Sequence, residues 1–443
     1  MPRTPPAPGR LCEKDLGQWK PLRSFRRHLE KVFGPQPTGP SWQNPNRRLV
    51  EVDYLSLFLF GLLNPVAQTL RGFAEASRLD RVQKEVCSRA VARSTFSDAQ
   101  HVLDPALLEK VFADLSAQLP ATPPDARLDQ WQWLARDGSL FRALPRMAWA
   151  LYGGGNPGSP NRAARLHLSL HVLEDKPVQA ALRAGHQCER AVWQEQWEKG
   201  AGYIGDRYFS QNYQLFEQLD KKGCAFVIRL MEKTIIEAEE DLPLSEADRA
   251  AGVVRQAWAH LGGQLKYRSM RLRVVWIEHE SKTLMLATNL APETLPADLV
   301  GELYRKRWRI ELFFRWVKCI LGCGHWLAES QRGATIQIYL ALIASLLLQL
   351  YSGRRPTKRM MELIRFYLMG WASAEELERG LERYRQELER RKTSLKRSPR
   401  SFLCRASGRR SIVSFRRGCA WFGRGLRSAH NTILLACPAV TTL

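Results

Sequence analysis

The chain has 443 residues, 45% of them hydrophobic and 25% charged, which excludes a disordered or low-complexity polymer and leaves room for two or three domains with a sizeable core. The net charge of +23 calls for a polyanionic partner, with DNA or RNA ahead of a membrane surface. Nine scattered cysteines without framework spacing exclude a disulfide scaffold and point to a reducing, cytoplasmic setting.

Residues 1–125 read as an N-terminal helical domain. MPRTPPAPGR lacks the apolar run of a signal peptide, and an apolar helix begins near Val50, followed by Pro65 and further short helices. Arg89, Arg93, Ser94 and Thr95 lie between those helices, as in a DNA-binding module, although no helix-turn-helix spacing is evident; a packing domain with a basic rim fits equally.

The proline-rich LPATPPDARL opens a second region, 126–350, with α/β texture. WQWLARD reads as a strand closed by an Asp137-Gly138 turn. GGGNPGSPN reads as a loop, without the Gly-Lys-Ser/Thr ending of a phosphate-binding loop. ARLHLSLHV alternates, with Leu166, Leu168 and Leu170 on one face and Arg165, His167, Ser169 and His171 on the other. A helix through CERAVWQEQWEKG, the strand YIGD, the helix SQNYQLFEQLDKKG and the strand CAFVIRL follow. From about 231 to 289 the texture is β-rich, an insertion before the next helix. Trp258 and Trp276 within it suit a core.

The segment YRKRWRIELFFRWVK then places Tyr304, Arg307, Glu311 and Lys318 within roughly 60° of one another on one helix, beside an apolar stripe of Leu303, Ile310, Phe314, Val317 and Leu321. Arg307 lies about 6 Å along the axis from Glu311, while Tyr304 and Lys318 lie about 10 Å away and cannot join the same metal site; Tyr304, Arg307 and Lys318 are expected to bind DNA by gripping a strand of phosphates, the two cations by charge and Tyr304 by a hydrogen bond. Cys319, Cys323 and His325 lack the paired clusters of a zinc site and read as thiols near a helix end. TIQIYLALIASLLLQL is very apolar but too short to span a bilayer and contains Gln337 and Gln349; it reads as a buried core helix. A helical C-terminal region, 351–390, precedes a basic tail, 391–443, with twelve basic residues, no acid and no predicted structure of its own.

Three acids thus stand where separate elements can aim them at one point: Asp137, Asp206 after YIG, and Glu311. Carboxylates brought together repel unless a cation neutralises them, so they imply a hard divalent metal. Two such ions about 4 Å apart can clamp the attacking and leaving oxygens of a phosphodiester.

These residues resemble a known family. Tyr304-x2-Arg307-x3-Glu311-x6-Lys318 resembles the Y-R-E-K signature of bacterial insertion-sequence DDE transposases, the "IS four" family. Asp137-Gly138-Ser139 resembles its first Asp motif, Gly205-Asp206-Arg207-Tyr208-Phe209 its second, and Arg165-Leu166-His167 a Lys-Leu-His string between them. The resemblance covers about 128–350. It implies a ribonuclease H-like core with a β-rich insertion, and Mg²⁺-dependent strand cleavage and transfer, with Mn²⁺ able to substitute and two ions per site. It also implies terminal inverted repeats and target DNA as substrates, in a bacterial cytoplasm. Hairpin-forming relatives carry a Trp in the strand before this helix, where SKTLMLATN has none. An element has two ends, so a homodimer on DNA is expected. The competing readings are an inactive or domesticated DNA-binding protein on the same scaffold and a nuclease that cuts without joining.

Overall fold

The computed structural model describes residues 26–31 apart from His28, then 49–119, 126–262, 268–319, 325–352 and 355–397, less Pro65, Asp129, Pro157, Gly158, Glu280, Ser281 and Pro356. The chain divides into a unit of Met1–Gln386, which holds the sheet and the three acids, and a unit of Glu387–Leu443, whose described residues, 387–397, are helical.

The architecture is mixed α/β. Among the described residues one sheet contains β1 (Gln132–Arg142), β2 (Leu151–Asn156), β3 (Ser159–His171), β4 (Lys176–Ala184), β5 (Ala201–Gly205), β6 (Ala225–Arg229), β7 (Ile236–Asp241), β8 (Val253–Leu261), β9 (Leu272–His279) and β10 (Lys282–Thr288). Its order is β2-β3-β1-β5-β6-β10-β9-β8-β7, with β4 also on β3. β1–β5 and β5–β6 are parallel; every other pairing is antiparallel.

Strand alternation divides the core in two. Trp133 and Ala135 of β1, Ile204 of β5 and Val227 of β6 enter one apolar cluster; Leu134, Tyr203 and Phe226, one residue out of step, enter the other. Successive side chains of a strand point to opposite faces, so both faces of these strands must be covered. Among the described residues, α1 (Glu51–Leu63), α2 (Leu70–Ala76), α3 (Asp80–Glu85), α4 (Arg93–Ala99) and α5 (Pro105–Gln118) lie between residue 50 and β1, and α6 (Glu189–Gln194) and α7 (Gln214–Lys221) flank β5. α7 supplies Leu215, Phe216 and Leu219 to the Tyr203 cluster. After α8 (Glu246–Ala250) come α9 (Ala297–Lys306), α10 (Trp308–Cys319), α11 (Gln331–Ser352), α12 (Lys358–Leu368) and α13 (Ala374–Arg397). α10 packs on β1 and β3 with Ile310, Phe313, Phe314 and Val317 buried, each contributing roughly 1.5–3 kcal/mol. α11 packs against α5, α1 and β4, so the described N-terminal helices share the core of the sheet. Among the described residues α11 is the one helix long and apolar enough to cross a membrane, and 89% of its apolar stretch is buried inside the protein, as its sequence predicts for a core helix.

Several expectations are corrected. β1 does not end at Asp137 but runs on to Arg142, because β3 pairs with it without interruption from Leu134–His171 to Arg142–Ala163. GGGNPGSPN is not a free loop: its described ends are the facing strands β2 and β3, with Asn156 opposite Ser159. β4 has no counterpart in the sequence reading. Pro177 disguises it, tolerated because it lies on a strand paired only with β3 and at a break in the register between Ser169 and Leu170. The polar face of β3 is also buried: Ser169 hydrogen-bonds Gln179 and Arg136, and Arg136 reaches Gln179 and Gln196. Trp258 and Trp276 are half-buried beneath Arg271 and Arg255, each guanidinium 4.9 Å from the ring centroid. The predicted tail lies outside the described residues except for 391–397. Leu321, Cys323 and the Cys319 side chain also lie outside them, and His325 is exposed.

Candidate active site

Sheet geometry brings the first two acids together. Ala135 of β1 is level with Ile204 of β5, and continuing this parallel register two residues sets Asp137 level with Asp206. Ala135 and Ile204 share the face covered by α10, so the period of two carries Asp137 to that face, with Asp206 immediately beyond the end of β5. Both acids are fixed locally. Asp137 Oδ1 accepts from the Gly138 N–H at 2.8 Å, and Asp206 Oδ1 accepts from the Tyr208 N–H at 2.9 Å.

The third acid arrives on α10. The sequence predicts one helix through Tyr304 and Lys318, but the helix is jointed at Arg307. There the Arg307 N–H bonds Tyr304 O and the Ile310 N–H bonds Arg307 O, both at 3.1 Å, so the ladder tightens from i→i−4 to i→i−3. Arg307 turns inward, its side chain 13% exposed. Its Nη2 donates to Glu311 Oε1 at 2.5 Å and its Nη1 lies 3.9 Å from Asp137 Oδ2. One guanidinium therefore bridges the acid of the helix and the acid of the sheet.

Burial dominates the electrostatics of Asp137, with smaller contributions from the charges around it. Burial pushes the Asp137 carboxyl up to about 7; Arg307 and the Gly138 N–H pull it back, and Asp206 and Glu189 push it further up. Burial works against the Arg307 charge, but Tyr304, Glu311 and Asp137 outweigh it and hold its pKa above the ordinary value. An all-oxygen donor set with excess negative charge suits a hard divalent cation. Among the described residues no three His, Cys, Asp or Glu side chains stand close enough to form a finished cage, and Arg307 lies between two of the three candidates.

The comparisons with known proteins bear on this region. Residues 137–347 match the model of the transposase DDE domain. A protein of Geobacillus stearothermophilus named as a transposase for insertion sequence element IS5377 is 24% identical over 209 residues, 46% of this chain and 52% of that protein. A Synechocystis sp. protein named as a transposase for insertion sequence element IS4SA is 35% identical over 83 residues, 18% of this chain and 25% of that protein. A Sinorhizobium fredii protein named as a transposase is 27% identical over 173 residues, 38% and 47% of the two chains. The chain thus spans between a quarter and about half the length of the curated relatives it matches. A solved piggyBac transposase synaptic complex with hairpin DNA is similar over 84% of this chain and 81% of that one, at 12% identity and a TM-score of 0.37.

The remaining predicted site residues divide. Tyr304 is half-buried, with the Arg307 guanidinium 5.8 Å from its ring centroid. Lys318 is turned inward: its Nζ donates to Leu140 O at 2.7 Å and lies 4.7 Å from the Phe141 ring centroid, so it ties α10 to β1. Beside Tyr304 opens a groove of about 660 Å³ lined by Arg229, Lys282, Arg305, Arg307 and Trp308, with Glu232 its one acid, and Trp308 is 47% exposed. Arg229 and Lys282 were not predicted, because only the antiparallel pairing of β6 with β10 brings them to the α9–α10 joint. Glu189 was missed as well; it opens a short helix and carries no motif.

Proposed function

We propose that this protein is a DDE transposase that cleaves DNA strands at the inverted-repeat ends of an insertion sequence and transfers them to target DNA, with Asp137, Asp206 and Glu311 as the catalytic acids. The observation that carries the reading is the proximity of Asp137, on the sheet face covered by α10, to Asp206 just beyond the end of β5, with Glu311 of α10 linked to Asp137 through Arg307. The strand order β4-β3-β1-β5-β6, with β1, β5 and β6 parallel, supports a ribonuclease H-like core over 126–350, with β7–β10 as its β-rich insertion.

In this reading the three carboxylates hold Mg²⁺ or Mn²⁺, two ions per site, which supply Lewis acidity to the attacking and leaving oxygens. Arg307 neutralises Glu311 and Asp137 in the free protein and exchanges Glu311 for a phosphate when DNA arrives, a geometry suited to a guanidinium. Tyr304, Arg305, Arg229 and Lys282 line the groove along which the backbone runs, and the exposed Trp308 offers a stacking face. Lys318 acts by fixing α10 against β1. The exposed Arg89, Arg93, Ser94 and Thr95 bind end DNA as part of the N-terminal helical module, residues 1–125. The protein works in the cytoplasm as a homodimer, one active site to each end.

Incubating the protein with DNA carrying its own flanking inverted repeats and Mg²⁺ tests the proposal. Asp137→Asn, Asp206→Asn and Glu311→Gln should each lower cleavage by at least about a thousandfold, as loss of an electrostatic group at a reacting centre does. Cleavage at the wild-type rate by any of the three removes that residue from the site. Cleaved but never joined ends would favour the nuclease, and binding without cleavage the inactive scaffold. Mixing Glu311→Gln with wild-type protein should depress concerted two-end insertion more steeply than in proportion to the wild-type fraction.

A further inference from the structure

Gly138 is a glycine for a reason outside its own strand. A Cβ there would lie 2.3 Å from Glu189 Oε1 and 3.2 Å from Arg165 Cδ. The Glu189 carboxylate thus rests against the main chain of the residue after Asp137, in space that any side chain would need; a glycine inside a strand often marks such a close approach. Arg165 Nη1 donates to Glu189, and the two side chains are only 19% and 15% exposed. Arg165 Nε is buried without a partner, so Glu189 anchors this guanidinium. The pair lies against Gly138, the residue next to Asp137, on the sheet face opposite α10.

Charge gives the pair a direction. Asp137, Asp206, Glu189 and Glu311 bring four formal negative charges, and Arg165 and Arg307 bring two positive ones. Two negative charges remain to attract divalent cations. Removing Glu189 would leave one, and removing Arg165 would leave three. Within a partly buried cluster such changes act over several ångströms with little screening.

We propose that Glu189 and Arg165 form an opposed positioning pair behind Asp137, in which Glu189 raises the divalent-cation affinity of the three-acid site and Arg165 restrains it. The proposal rests on the reading of Asp137, Asp206 and Glu311 as the cation-holding acids. Neither Glu189 nor Arg165 touches substrate; both act through Asp137.

The test is Mn²⁺ binding by the full-length protein without DNA, followed by electron paramagnetic resonance of the free ion, with thermal unfolding measured on the same samples. Glu189→Gln keeps the shape and the acceptor for Arg165 but removes the charge; Mn²⁺ should bind about tenfold more weakly, within the range seen when supporting partners of metal ligands are lost. Arg165→Met removes the counter-charge, and Mn²⁺ should bind more tightly than to wild type. A pair with a purely structural role would move both variants in the same direction. Wild-type affinity in Glu189→Gln, or weaker binding by folded Arg165→Met, overturns the proposal. If Glu189→Gln does not fold, Glu189→Asp, which withdraws the charge by one methylene, takes its place with a smaller loss expected, and wild-type affinity there overturns it equally. Asp137→Asn separates the two levels. Unchanged Mn²⁺ affinity in that variant removes the three-acid site and this proposal with it. Lost affinity there, with unchanged affinity in Glu189→Gln, removes the proposal alone.

Discussion

Replacing Asp137 with Asn should stabilise the cation-free protein while abolishing its activity, and the size of the gain follows from the burial of this one carboxyl. In the folded protein Asp137 titrates at about 7, against 3.8 for the unperturbed group, chiefly because burial disfavours its charge. Between those two pH values the folded protein holds a proton that the unfolded chain has released, so stability falls as pH rises from about 4 to about 7 and stays lower above that. About three pKa units at 1.36 kcal/mol each set a ceiling near 4 kcal/mol. The side chain keeps 26% of its surface exposed, which reduces the expected gain to about 3 kcal/mol. Asn cannot ionise and so avoids this cost. Denaturant unfolding at pH 8 in EDTA should therefore show Asp137→Asn more stable than wild type by about that amount, with the difference vanishing near pH 4. Millimolar Mn²⁺ should stabilise wild type and leave the variant unchanged, since ligand binding to the folded state adds stability by mass action. Equal stability of the two proteins at pH 8, or a difference that does not change with pH, would refute the burial argument for Asp137.

Gly138→Ala should destabilise by about 1–3 kcal/mol, since its Cβ would force the Glu189 carboxylate off the strand; a denaturation midpoint at the wild-type value would show that Glu189 moves freely. Lys318→Met should lower stability by about 1–2 kcal/mol through loss of the bond to Leu140 O, yet leave the salt dependence of end binding unchanged, because its ammonium faces the protein. A reduced salt slope in filter binding would return Lys318 to the phosphates. Arg89→Ala with Arg93→Ala, both at exposed positions, should flatten the salt slope of DNA binding by about one unit per lost contact while cleavage chemistry survives; an unchanged slope would place end binding elsewhere.

The amino-acid sequence alone determined what depends on neighbours along the chain. The apolar face of α10, with Ile310, Phe314 and Val317 buried, follows from a period of 3.6. The burial of α11 follows from its composition, and Asp206 at the end of β5 follows from an apolar run that stops there. The three acids could be named because each ends or interrupts such a local pattern. What tertiary structure decided lies across the chain. Asp-Gly is equally compatible with a turn and with a strand needing clearance, and only pairing with β3 and contact with Glu189 selected the strand. β4 exists because β3 offered it an edge, despite Pro177. The joint at Arg307 breaks a helix with no Pro or Gly nearby, and Arg307 there turns its guanidinium to Asp137, a residue 170 positions away in the chain. Lys318 faces inward because Leu140 O lies within its reach once β1 has been extended. Helix and strand periods are written locally, whereas registers, joints and charge partners are set by which distant surfaces can be buried together.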